Sequence, residues 1–252
     1  MLFYRKVLRP IVQLSRWPWY IWDVRSRPPS QWSNRTRRYI GIADTLRSPR
    51  MNILLELAEK AANLPGDMAE CGVFQGHTAI ALGLFIREHS LDKKMYALDS
   101  YEGFDEVADK EAEASYMRTG VTHPIMKKGT FAGTSMELIH HKIRKTDLSG
   151  IVIPVKGYFR MTLPTLPARH YCFVHLDCDL GESYRECLDY FYSRVVPGGY
   201  ICFDEYRDDN WPMATQAIDE FFRDKLEKPV AVFRMFQGKP LSRWHVRKGS
   251  IR

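Results

Sequence analysis

A chain of 252 residues, 45% of them hydrophobic, can build one sizeable α/β core with an appended segment, but not two full domains. Its formal net charge is +7, yet residues 1–50 carry eleven Lys and Arg against only Asp23 and Asp44, so +7 overall against +9 in this stretch leaves −2 for the remainder. A faintly acidic body with a basic arm argues against nucleic acid as a partner.

That arm, residues 1–47, also holds Trp17, Trp19, Trp22 and Trp32. Basic residues mixed with Trp suit either peripheral contact with an anionic membrane or packing of the aromatics on the chain's own domain or a sister subunit in a homo-oligomer. No apolar run approaches the length of a bilayer span, and Met1 to Tyr20 lacks the features of a signal peptide, so the chain reads as cytoplasmic, at most peripheral to the inner membrane face. Cys71, Cys172, Cys178, Cys187 and Cys202 lie mostly in apolar stretches without zinc-site spacing, and are read as buried thiols.

From residue 48 onward, short apolar runs alternate with amphipathic stretches. Ser48 and Pro49 open a helix as N-cap and first helical residue, with Ile53, Leu54, Leu57, Ala58 and Ala61 at helical spacing. Next come a strand Met68–Val73, a helix Thr78–His89 and a strand Met95–Asp99. Residues 102–130, rich in charge, read as a long loop or partly helical lid. A helix Ser135–Lys145 and strands Ile151–Val155 and Tyr171–Asp177 follow, then a helix Glu182–Arg194, a strand Tyr200–Phe203 and a helix Ala214–Leu226. Strands alternating with helices imply a parallel sheet covered on both faces. Val230–Phe236 and Arg243–Arg247, joined only by residues 237–242, require an antiparallel hairpin. A mostly parallel sheet ending so looks like the seven-stranded sheet of class I methyltransferases, a Rossmann-like fold.

In such a sheet, ligands bind beyond the carboxyl ends of the strands. The first strand runs through Glu70, Cys71 and Gly72 into a turn ending at Gly76 and Thr78; the glycines let backbone approach a ligand, and Glu70 sets a carboxylate beside it. The pattern is not the GxGxxG of nicotinamide-dependent oxidoreductases, the rival enzyme class, and an acidic strand end suits the amino group and sulfonium of S-adenosylmethionine (SAM) better than a pyrophosphate. Asp99 closes the second strand, where an acid holds two ribose hydroxyls; a turn or helix-cap aspartate is the structural alternative. Two further strands emerge into Asp177-Cys178-Asp179 and Asp204-Glu205. Four converging carboxylates raise one another's pKa unless a cation compensates, and an all-oxygen set suits a hard divalent ion such as Mg²⁺, which activates a hydroxyl for methyl transfer. The alternative reading has Asp177 and Asp179 cap the following helix while Asp204 and Glu205 are solvated.

Five stretches in order resemble the macrocin O-methyltransferase family: Pro65 to Val73, Leu98 to Phe104, Lys156 to Pro164, Leu176 to Ser183 and Pro197 to Tyr206. The resemblance implies a class I fold, and SAM held by Glu70, Gly72, Asp99 and Ser100, with Gly76, Thr78 and Gly157 in the same motifs and Phe131 to Ser135 near the adenine. It implies Mg²⁺ on Asp177, Asp204 and Glu205, and Asp179 as base, with Asp177 and Asp179 open to exchange. The acceptor it implies is a sugar hydroxyl on a small molecule or glycan. The chain departs from the family at Glu205, where a second Asp is usual, and at Gly181, where a tyrosine is common. His123 in the lid is the lesser candidate base; His175 is read as a satisfied core residue, and His140 and His141 as flanking the adenine side or solvent. A non-catalytic membrane or glycan-assembly module on the same scaffold is the rival outside enzymes, and the intact acidic cluster argues against it.

Overall fold

The computed structural model describes residues 33, 49–120, 126–236 and 238–249. The arm 1–47 apart from Ser33, the cap expected at Ser48, and His123 lie outside them. The element order is α1 (Pro49–Ala61), β1 (Asp67–Cys71), α2 (His77–Glu88), β2 (Met95–Asp99), α3 (Val107–Thr119), α4 (Met136–Lys145) and β3 (Val152–Lys156), followed by α5 (Phe159–Thr162) running into a 3₁₀ turn (Leu163–Thr165). The chain continues with β4 (Tyr171–Leu176), α6 (Gly181–Phe191), β5 (Val195–Phe203), α7 (Pro212–Phe222), β6 (Val230–Phe236) and β7 (Lys239–Arg247). No helix among the described residues is long and apolar enough to cross a membrane.

The seven strands form one sheet in the order β3-β2-β1-β4-β5-β7-β6. The first five pair in parallel, and β7 pairs antiparallel with both β5 and β6. The hairpin is the one expected, folded so that its second strand lies inside the sheet and its first forms the edge. Strand alternation sends successive side chains to opposite faces. Met68, Met95, Ala97, Phe173 and Cys202 therefore pack under α1, α2 and α4, while Ala69, Leu98, Val174, Ile201 and Phe203 pack under α6 and α7. All five cysteines are buried free thiols.

The stretch expected as a loop or partly helical lid contains the 13-residue α3, which agrees with the second alternative. Two departures from the sequence reading have physical causes. β1 stops at Cys71 because Gly72 takes φ +85°, where strand geometry cannot continue. β5 starts at Val195, ahead of Pro197-Gly198-Gly199; a register shift against β4 absorbs these residues.

α3 also supplies a cap. The first residues of α6 have no side-chain cap of their own, and the backbone N–H groups of Gly181 and Glu182 donate instead to the buried Glu111, at 2.9 and 2.7 Å. Gly181 is required at this place, since a Cβ there would meet the carbonyl oxygen of Met213 at 2.6 Å. Removing the Glu111 carboxylate leaves two amides without an acceptor. Glu111→Ala is expected to lower the unfolding free energy by about 1–3 kcal/mol in urea denaturation, with Glu111→Gln, which keeps one acceptor oxygen, in between.

Candidate active site

The turn between β1 and α2 is held from two sides. Asp99 accepts from the backbone N–H of Val73 and Phe74 through Oδ2, at 2.7 and 2.8 Å, and from Tyr101 N through Oδ1, at 2.6 Å. Ser100 Oγ stands 3.4 Å from the same Oδ1 and donates to Gly103 O at 2.9 Å. From the other side, Lys142 Nζ donates to Gln75 O at 2.6 Å, Gln75 Nε2 donates to Gly133 O at 3.0 Å, and Thr134 Oγ1 donates to Phe74 O. Asp99, the acid at the end of β2, is thus a brace of the turn, the role given as its structural alternative. Gly72 must be glycine, because a Cβ there would overlap the backbone carbonyl of Asp177.

The turn opens onto a cavity of about 340 Å³ whose walls include Glu70, Gly72, Thr78, Asp99, Ser100 and Gly157, together with Asp177 and Asp179. Phe74, Phe131 and Phe104 also line it, in edge-to-face contact at 5.4 and 5.2 Å between centroids. Glu182, Ser183 and Glu186 from α6, and Arg160 paired with Asp105 at 2.5 Å, bring polar groups to the same space. Glu70 is 1% exposed. Its Oε1 lies 3.0 Å from His175 Nδ1, while Oε2 is buried without a partner. A buried carboxylate oxygen with no donor, on a cavity wall, fits a cationic ligand group such as an ammonium or sulfonium.

The acidic strand ends meet beside this cavity. Asp177, Asp204 and Glu205 place one oxygen each within 4.8 Å of one another. Glu205 is buried; its Oε2 accepts from Tyr184 Oη at 2.6 Å and from Asp179 N at 3.3 Å. Asp179 is held in the left-handed region at φ +60°. Burial raises the pKa of Asp177, Asp179 and Glu205 above the usual carboxylate range; the Asp177 carboxylate adds to the rise on the other two, and Glu70 to that on Asp177. On the other side of the group, Asp204 meets Arg243 through Oδ1, Arg50 through Oδ2 at 3.7 Å, and His175 Nε2 at 3.9 Å. Three carboxylate oxygens in reach of a single point are a donor set that fits a hard divalent cation.

Nine of the sequence-selected residues, Phe131 among them, therefore share the cavity wall. Gly76 sits instead at the left-handed start of α2, and Asp204 and Glu205 reach the site only by joining Asp177. His175 is the satisfied core residue expected, and His140 and His141 are exposed on α4. Sequence reasoning missed Tyr184 and Arg243. Arg243 stands in a hairpin strand that also holds Lys239, Ser242, His245 and Arg247, so its charge alone did not single it out.

A β3-β2-β1-β4-β5-β7-β6 sheet, with a cavity at the carboxyl ends of β1, β2 and β4 and an acid closing β2, defines a class I methyltransferase fold. The family model described as Macrocin-O-methyltransferase (TylF) matches residues 41–234, and the chain belongs to this family. It is 29% identical over 161 residues to a demethyldecarbamoylnovobiocin O-methyltransferase of Streptomyces niveus, covering 63% of this chain and 59% of the relative. It is 29% identical over 152 residues to an 8-demethyl-8-(2,3-dimethoxy-alpha-L-rhamnosyl)-tetracenomycin-C 4'-O-methyltransferase of Streptomyces olivaceus, covering 59% of this chain and 56% of that one. The matched stretch thus spans less than two thirds of either relative. Among solved structures, the O-methyltransferase NovP superposes with a TM-score of 0.64 at 25% identity, over 80% of each chain.

The raised carboxyl pKa values have a thermodynamic consequence. Asp177, Asp179 and Glu205 bind protons more tightly folded than unfolded, so stability is fully present below the unfolded values and is lost as pH rises through the folded ones. Thermal melts in a chelator are expected to fall as pH rises above the ordinary carboxylate range, and Asp177→Asn is expected to flatten that slope by removing the charge common to the other two.

Proposed function

We propose that the chain transfers a methyl group from SAM to a sugar hydroxyl, with a Mg²⁺ ion held by Asp177, Asp204 and Glu205. The observation that carries this reading is that Asp177 belongs to both parts of the site: it lines the cavity and is a corner of the acidic triad. The names of the relatives support O-methylation, and the Streptomyces olivaceus name specifies a position on a rhamnosyl group.

In this reading Glu70 Oε2 receives the cationic end of SAM, Asp99 and Ser100 stand at its ribose, and Gly72, Gly76, Thr78 and Gly157 keep the backbone close. SAM supplies an electrophilic methyl carbon, whose bond to sulfur breaks as the bond to the acceptor oxygen forms. Mg²⁺, when bound, supplies positive charge that lowers the pKa of an acceptor hydroxyl. Asp179 takes the hydroxyl proton. Burial and the Asp177 charge raise its pKa, which makes it a stronger base than an exposed carboxylate, and its backbone N–H, tied to Glu205, fixes it to the triad. Phe74, Phe131 and Phe104 offer apolar edges to a ring, while Glu182, Ser183 and Glu186 offer hydrogen bonds to its hydroxyls. His123 is the alternative base. The chemistry of the arm, whether membrane contact or contact with a sister subunit, also belongs to this proposal, and liposome flotation of the full chain against a chain lacking residues 1–40 tests it.

Calorimetry is expected to show binding of SAM and none of NAD. Asp179→Asn is expected to retain SAM binding and lose turnover by about 10²–10⁴-fold, read as methylated glycoside by mass spectrometry. Absence of SAM binding, or full methyl transfer by both Asp177→Ala and Asp204→Ala, overturns the reading.

A further inference from the structure

Glu70, His175 and Arg243, all buried, and the partly exposed Asp204 lie in a line along the α1 face of the sheet. Glu70 on β1 stands opposite His175 on β4 in register, and His175 opposite Cys202, two residues before Asp204. Arg243 enters from β7, the antiparallel neighbour of β5. It is 6% exposed, touches Asp204 Oδ1 through Nη1, and holds the same nitrogen 3.4 Å from His175 Nε2. A guanidinium has only donors, so Nε2 is the bare ring nitrogen, and Nδ1 carries the hydrogen that His175 donates to Glu70. Arg243 is therefore held in place by His175 independently of its contact with Asp204. Arg50 approaches the other oxygen of Asp204 from α1, with its side chain 48% exposed.

Asp204 thus has a cation beside each oxygen, although the proposed function assigns it to a divalent ion. Two cations drawn to one carboxylate repel each other, and the repulsion is strong where water is scarce.

We propose that Arg243 is a resident counter-cation of the acidic cluster, which competes with a divalent ion for Asp204 and sets the affinity of the metal site. The inference rests on the metal reading above. Arg243 lowers the cost of gathering Asp177, Asp204 and Glu205 in the folded chain, and for the same reason weakens the binding of an ion there. Its anchorage to His175 keeps the guanidinium close to the site when Asp204 turns to another partner. A residue that only shaped the site would act in the opposite sense, because its removal would loosen the ligands and weaken metal binding.

The test is titration of Mn²⁺ into the metal-stripped full chain, followed by electron paramagnetic resonance of the free ion. Arg243→Gln removes the charge while keeping an amide donor, and is expected to bind Mn²⁺ about tenfold more tightly than wild type. Arg243→Lys keeps the charge and is expected to stay near the wild-type value. Arg50→Gln, at an exposed position, is expected to tighten binding about twofold. Equal or weaker affinity in folded Arg243→Gln overturns the proposal; if that variant does not fold, equal or weaker affinity in Arg50→Gln does so. Wild type that binds no Mn²⁺ leaves two outcomes. Binding by Arg243→Gln alone then supports the counter-cation role, and binding by none of the proteins overturns both.

Discussion

Like charges brought together out of water are the constraint on which this site is built. A parallel sheet delivers the ends of β4 and β5 side by side, and here each end carries two acids. The fold compensates them differently on its two faces. On the α1 face, the cations Arg243 and Arg50 gather on Asp204; on the α6 face, Glu205 accepts from the neutral hydroxyl of Tyr184 and a backbone amide. The uncompensated charge lies on the side that faces the cavity through Asp177 and Asp179. The field in the cavity is therefore set by which carboxylates the rest of the protein leaves unpaired, as much as by how many there are.

Opposite this charged edge, the turn between β1 and α2 is fixed by many short contacts. Asp99 holds it from β2, and Lys142, Gln75 and Thr134 tie it to α4 and the loop before it. Gly72 lets the turn lie directly on the backbone of Asp177. Turn and acidic strand end are thus one packed unit, and a displacement of either moves the other. Such rigidity keeps reacting groups in line without ordering them anew in each cycle.

The parts of this arrangement that were legible in the sequence share one property: they are local. Apolar runs of β1, β2 and β4 ending in Glu70, Asp99 and Asp177 announce both the strand and the acid at its tip. The hairpin was legible from the shortness of its link. α3 was legible only as one of two alternatives, because a helix that buries Glu111 against the start of α6 and has few apolar residues lacks the periodic signal of a core helix. The early part of β5 was hidden by Pro197 and Gly198, residues that ordinarily end a strand. Within the site, the four carboxylates could be found from their strands, but not the partners that divide them. Arg243 and Tyr184 meet Asp204 and Glu205 only through sheet order and helix packing, and the insertion of β7 between β5 and β6 follows from no local pattern.

That insertion also orders events during synthesis. β6 leaves the ribosome before β7 but has no place in the sheet until β7 has paired with β5. Until then β5 presents an open edge of unpaired amides and carbonyls, and Asp204 at its end lacks the guanidinium that later covers it. The nascent chain therefore passes through a stage in which an adhesive strand edge and an unneutralised acidic tip are exposed together. Repulsion between such tips on neighbouring chains opposes the edge-to-edge pairing that the bare strand invites, so the acids of the site also protect the chain before the site exists.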